Sequence, residues 1–114
     1  MRWLIAFALT QSIEAPIYWV ASKRLASAPM SRAERALVAI GPSSLTHPIV
    51  WFVVPWLLPA AGIAVRLIVA EAFAVIAEAL FLRVLGVRRP FWLSLGANAV
   101  SASVGLALSR AGVF

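Results

Sequence analysis

Four long apolar runs, separated by three polar or turn-forming stretches, set the pattern of this chain. A helix that crosses a bilayer needs roughly 17–25 mostly apolar residues. Segments 3–21, 36–59, 63–86 and 91–114 meet that requirement. Between them lie the polar connection 22–35, a tight Ala60-Ala61-Gly62 turn and the short Val87-Arg88-Arg89-Pro90 link. Short connections make successive helices antiparallel. The predicted fold class is therefore all-α: an integral membrane up-down four-helix bundle, in a single transmembrane domain over residues 1–114.

Composition agrees with that class. Of the 114 residues, 63% are hydrophobic and only 12% are charged, and the mean hydropathy is +0.97. A soluble domain is nearer a quarter charged and has no place to hide so much apolar surface. The chain has no cysteine, which excludes disulfides, thiolate metal sites and thiol nucleophiles. Met1-Arg2 ahead of WLIAFAL has the layout of a secretory leader. No small-residue cleavage site follows directly, and the apolar pattern continues through SIEAPIYWV, so this segment reads as a retained transmembrane helix.

The net charge of +6 belongs to topology. The basic residues cluster between the apolar runs and form no stripe with interleaved aromatics, which argues against nucleic-acid binding. Lys23, Arg24, Arg32, Arg35, Arg83, Arg88 and Arg89 flank the first and third connections, against Arg2, Arg66 and Arg110 on the other side. Seven against three puts those two connections in the cytoplasm and both termini outside. Trp3, Trp19, Trp56 and Trp92 lie near span ends, as an interfacial aromatic belt requires. The basic connection SKRLASAPMSRAER also attracts anionic headgroups, as basic segments beside membranes do.

The polar residues inside the spans carry the candidate chemistry. Glu14, Glu71 and Glu78 are three of the four acidic residues, and all fall within apolar runs. With a rise of about 1.5 Å per residue, Glu14 and Glu78 lie about 4–5 Å to the cytoplasmic side of the midplane. On the same scale His47 is nearly central, Glu71 about 5 Å toward the outside and Asn98 about 7 Å toward the cytoplasm. Positions three and four away from Glu71 are Leu67, Ile68, Ala74 and Val75; around Glu78 they are Ala74, Val75, Phe81 and Leu82. Neither glutamate has a partner on its own helix. Both project from one stripe, about 10 Å apart, which is expected to face the interior because lipid-facing charge is costly.

The other helices offer partners. Gln11, Glu14 and Tyr18 share a face of the first, and Ser43, Ser44 and His47 a face of the second. Pro48 cannot donate a backbone bond and frees the carbonyl of Ser44. Ser94, Asn98, Ser101 and Gly105 form a small polar seam on the fourth, suited to close helix contact. A neutral glutamic acid donates a hydrogen bond, and one poised between two protonation states carries a proton or exchanges it for a cation. The expected proton- or cation-binding site is Glu14, His47, Glu78 and Asn98, with Glu71, Gln11, Ser44 and Ser101 secondary. The residues name no cofactor, and whether a metal binds is left open.

Four helices in about 110 residues with a glutamate at position 14 resemble the small multidrug-resistance exporters, in which a first-helix glutamate exchanges protons for cationic drug. The chain departs from them in three ways. SKRLASAPM stands where that family has a Lys-x-Ser-Glu-Gly-type loop, the third helix carries two glutamates and no glycine before Gly86, and the charge bias opposes a dual-topology dimer. A second resemblance covers most of the chain. Glu14 with Pro16, SLTHP, the Glu78-Ala79-Leu80 segment and SLGANAVSASVGL look like a broad group of small four-helix bacterial membrane proteins with no activity attached. It implies a multi-pass protein of the bacterial inner membrane.

Three functions compete on these grounds. The first is proton- or cation-responsive transport or ion handling by a homo-oligomer. The alternative is a non-catalytic subunit or assembly factor of a larger membrane complex, with Glu71 or Glu78 paired to a partner's Arg or Lys. The third is a metal-dependent membrane enzyme, for which no HExxH-type pair or nucleophile–base arrangement speaks. A self-contained transporter keeps its acids on an internal stripe, whereas a subunit turns at least one outward.

Overall fold

In the computed structural model, residues 2–112 are described, and four helices contain most of them. Helix α1 spans Arg2–Arg24, α2 Arg32–Leu57, α3 Ile63–Val84 and α4 Pro90–Arg110. α2 begins four residues before the apolar run it was expected to follow. Ser31 caps it: its hydroxyl accepts from the Glu34 N–H at 3.1 Å, and the Glu34 carboxylate accepts from the Ser31 N–H at 3.2 Å. This reciprocal capping box starts a helix in polar sequence, where hydrophobic periodicity is silent.

Midway, α2 widens. Residues Ile49–Val53 form a π-helical turn, with the Val54 N–H bonded to the Ile49 carbonyl. Pro48 and Pro55 stand either side of it, and each removes an N–H that the regular ladder needs. Beyond Leu57 the chain turns into α3, and Arg66 closes this corner by donating to the carbonyls of Leu58 and Pro59 at 2.9 and 2.5 Å. A guanidinium suits these orphan carbonyls at a helix C-terminus. α3 ends at Gly86, whose φ of +85° is a glycine conformation. The Gly86 and Val87 N–H groups bond back to Arg83 and Leu82, the two bonds of a Schellman stop.

α1 packs on α2 and α4, and α3 packs on the same two, so α1 and α3 face each other across one diagonal of the bundle. The body is 45 Å in its longest dimension. Tyr18, Val38, Leu82, Val87 and Ala97 build an apolar core near the end that carries the first and third connections. Those connections are tied together there. Ala26 bridges Val87, the Ser27 N–H bonds to the Gly86 carbonyl at 2.8 Å, and the Arg88 N–H bonds to the Leu25 carbonyl at 2.6 Å.

Elsewhere the pattern is the reverse of a water-soluble bundle. Trp56, Ile63, Ile68, Val84 and Trp92 are exposed, while Glu14, Ser43, Thr46, Glu78, Ser94 and Asn98 are buried. α1, α2 and α4 are long and apolar enough to cross a membrane. α3, at 22 residues, has the length. Arg66, Glu71, Glu78 and Arg83 are spaced so that any 18-residue window of it holds at least three charges.

Candidate functional site

The diagonal arrangement brings the acids of α1 and α3 face to face. Glu14 and Glu78 are each 1% exposed, and they belong to one polar cluster: Asn98, which donates to Glu78, and Ser101, which donates to Glu14, are a single turn apart on α4 and bonded to each other. Neutral donors surround them. Glu78 accepts from the Tyr18 hydroxyl at 2.7 Å, the Thr46 hydroxyl at 2.7 Å and the Asn98 amide at 3.2 Å. Glu14 accepts from the Ser43 hydroxyl at 2.6 Å and from the Ser101 hydroxyl. Every one of these bonds joins two helices; Tyr18, on the same helix as Glu14, reaches across to Glu78 on α3.

Helical spacing puts the donors in place. Glu14 and Tyr18 are four apart on α1, Ser43 and Thr46 three apart on α2, and Ser94, Asn98 and Ser101 four and three apart on α4. Ser94 holds α4 against α3 by donating to the Val75 carbonyl at 2.8 Å, and the Asn98 amide also donates to the Ser94 carbonyl at 2.9 Å. On the neighbouring face Gly41 lets α2 lie against α3: a Cβ there would stand 2.6 Å from the Phe81 ring.

A cleft of about 640 Å³ leads to the pair, lined by all four helices. Glu14, Glu78, Asn98 and Ser101 lie at its inner end, while Arg2, Arg66 and Ser109 line it at the end of the bundle that carries both termini. Its walls are mainly apolar. The opposite end is occupied by the apolar core and the tied connections. The bundle is thus open to the carboxyl pair from one end. Two carboxylates buried in one cluster repel unless a proton or another cation offsets their charge. Chemically, the arrangement sets two buried acids along a cleft, a geometry able to hold a proton or another cation.

The other residues singled out from sequence are distributed around this centre. Glu71 is half-buried and lines the cleft nearer its mouth. His47 also lines the cleft and is 8% exposed, but its ring lies among Trp3, Phe7 and Trp51, with centroids 6.1, 5.2 and 6.0 Å away. Among the described residues its Nε2 is buried without a partner, and it is Thr46, one residue earlier, that reaches Glu78. Gln11 donates to Ser44 and to the Ile40 carbonyl at 3.0 and 3.1 Å, a contact between α1 and α2 separate from the acid pair. The face of α2 expected to carry Ser43, Ser44 and His47 together is two adjacent stripes: Ser43 and Thr46 turn inward, Ser44 and His47 toward α1.

Thr46 escaped the sequence reading, since a threonine beside a titratable histidine draws no attention. Its position three after Ser43 was the available signal. Among the described residues no group of three or more His, Asp or Glu side chains is placed to hold a metal ion. No family model, curated protein or solved structure matches this chain.

Proposed function

We propose that this chain is a four-span membrane protein that handles protons, a proton-coupled carrier whose working centre is Glu14 and Glu78 sharing one proton. In this reading the first and third connections lie in the cytoplasm and the cleft opens to the outside. The observation that carries it is the clustering of two fully buried carboxyl groups, supported by neutral donors from the same helices, along one open cleft. The polar interior and apolar exterior support insertion, because a bilayer rewards that inversion. In this reading α3 is the fourth span despite its charges, which is supported by Glu78 being buried, Glu71 lining the cleft, and Arg66 and Arg83 lying near the helix ends. The inward placement of all three membrane glutamates favours a self-contained carrier over a subunit that reserves one acid for a partner.

In the working cycle the shared proton leaves into the cleft when a cation or cargo group takes its place between the carboxylates. Ser43, Thr46, Ser101, Tyr18 and Asn98 hold the oxygens in position through the exchange, and being neutral they do not compete for the charge. The test is infrared difference spectroscopy on the full chain in liposomes as pH is stepped. A protonated-carboxyl band that titrates in the wild type is expected to shift in frequency and midpoint in both Glu14→Gln and Glu78→Gln, since each leaves a single buried acid, and to vanish when both are replaced. It is expected to persist in Glu34→Gln, whose glutamine still completes the capping box. A band unchanged in both pair variants defeats the proposal.

A further inference from the structure

At the closed end of the bundle lies a second cavity, of about 410 Å³, between the last turn of α1, the start of α2 and the connection joining them. Lys23 and Arg35 line it together with Ser22, Ser27, Pro29 and Met30, and its lining holds no carboxylate. The nearby Glu34 carboxylate is engaged at the Ser31 N–H.

Arg35 is fixed before anything binds. Its Nε donates to the Ser22 hydroxyl at 2.9 Å, one terminal nitrogen donates to the Trp19 carbonyl at 3.2 Å, and its Cζ stands 4.1 Å from the centre of the Trp19 ring. All three contacts are with neutral groups, so they orient the guanidinium without cancelling its charge. They engage two of its five N–H donors. A guanidinium already held in one geometry loses little further freedom on binding, and its planar fork matches phosphate oxygens. Lys23 is exposed on the facing turn of α1 and adds a mobile ammonium. Pro29 and Met30 give the cavity an apolar side, and its volume falls in the range of small-ligand sites.

We propose that this cavity binds a phosphate-bearing anion, with Arg35 as the fixed fork and Lys23 as the second charge. The headgroup of an anionic phospholipid and a soluble phosphate present the same chemistry. The site is independent of the carboxyl pair, which lies more than a helical turn away along α1. Basic pockets between spanning helices on the cytoplasmic side are suited to phospholipid headgroups.

The experiment is native mass spectrometry of the full chain released from a charge-neutral detergent, with three probes: phosphatidylglycerol, phosphatidylcholine of the same acyl chains, and inorganic phosphate. Arg35 stays intact, because it also ties α1 to α2. Phosphatidylglycerol is expected to remain bound under conditions that strip phosphatidylcholine. Lys23→Gln is expected to reduce that retention roughly tenfold, the worth of one charge-assisted hydrogen bond. Arg32→Gln makes the same charge change at the same end but outside the cavity, and is expected to alter it by less than about twofold. Capture of inorganic phosphate with the same dependence on Lys23, and no preference between the two lipids, assigns the site to a soluble phosphate. Equal losses in Lys23→Gln and Arg32→Gln, or indifference to lipid headgroup with no phosphate captured, overturn the proposal.

Discussion

Replacing Thr46 by valine isolates one contact of the acid pair. Valine keeps the shape of threonine but has no hydroxyl, so one Glu78 oxygen loses the 2.7 Å bond it receives from α2. The same hydroxyl lies 3.2 Å from the Pro42 carbonyl; a hydroxyl has one proton to donate, and the shorter contact takes it. Thr46 is 2% exposed, so water does not replace the lost donor. Leaving a buried acceptor unsatisfied costs about 1–3 kcal/mol, while interhelical hydrogen bonds in membrane bundles average nearer 0.6 and reach about 1.7. We expect Thr46→Val to lower stability by about 1–2 kcal/mol, a factor of roughly five to thirty in the folded-to-unfolded ratio. Thr46→Ser keeps the donor and removes only a methyl group, so its cost should stay near 0.8 kcal/mol or below, taking ~0.8 per buried carbon. The assay is unfolding of the purified protein in mixed micelles titrated with SDS, followed by tryptophan fluorescence. If valine proves no more harmful than serine, the hydroxyl is not holding Glu78 and the donor shell around the pair has been misread.

Other outcomes are equally specific. Glu78→Gln keeps one oxygen to accept from Tyr18 and Asn98, presents an amide that donates to the Thr46 hydroxyl in place of the acceptor lost there, and lifts like-charge repulsion from Glu14, so its unfolding midpoint should fall by less than about 1 kcal/mol equivalent while its proton chemistry is lost; a collapse of the fold would instead make Glu78 a structural anchor. Gly41→Ala places a methyl 2.6 Å from the Phe81 ring and should cost about 1–3 kcal/mol, as overpacking does, with Phe81→Leu in the same chain recovering most of it in the same SDS titration. Because the chain has no cysteine, single replacements read access directly. Ala102→Cys in the cleft should react with a membrane-impermeant thiol reagent added on the side of the termini, and Ala97→Cys in the core at the other end should react from neither side. Labelling of both from both sides would exclude a one-ended cleft.

How much of this was legible beforehand follows from what spacing encodes. Glutamates at 14, 71 and 78 in apolar runs stand out because a bilayer penalises them, and a seven-residue interval fixes a shared stripe whatever the helix packs against. Asn98 and Ser101 were visible for the same reason. Spacing does not encode how far a helix is rotated about its own axis. A rotation of about 100°, one residue's worth, decides whether Ser43 and Thr46 or Ser44 and His47 face the acids, and α2 takes the first option. That rotation follows from contacts between helices: Gln11 against Ser44, His47 among the aromatics of α1, and Gly41 under Phe81. The start of α2 was misplaced because Ser31 and Glu34 signal through hydrogen bonds in a segment without apolar periodicity. The cleft, made by all four helices together, belongs to no single segment of the sequence.

The positions of donors and acceptors divide the chain into two hairpins of the same design. In each, the first helix brings the acid and the second brings side-chain donors: Glu14 on α1 with Ser43 and Thr46 on α2, then Glu78 on α3 with Asn98 and Ser101 on α4. Each carboxylate is bonded to both donor helices, so exchanging the two hairpins about the long axis of the bundle leaves the bonding scheme nearly unchanged. Tyr18 is the exception, a donor to Glu78 for which Glu14 has no matching residue. In the proposed carrier, a proton shared by the carboxyls would sit close to an axis of approximate equivalence, and one phenolic hydroxyl would make its two homes unequal.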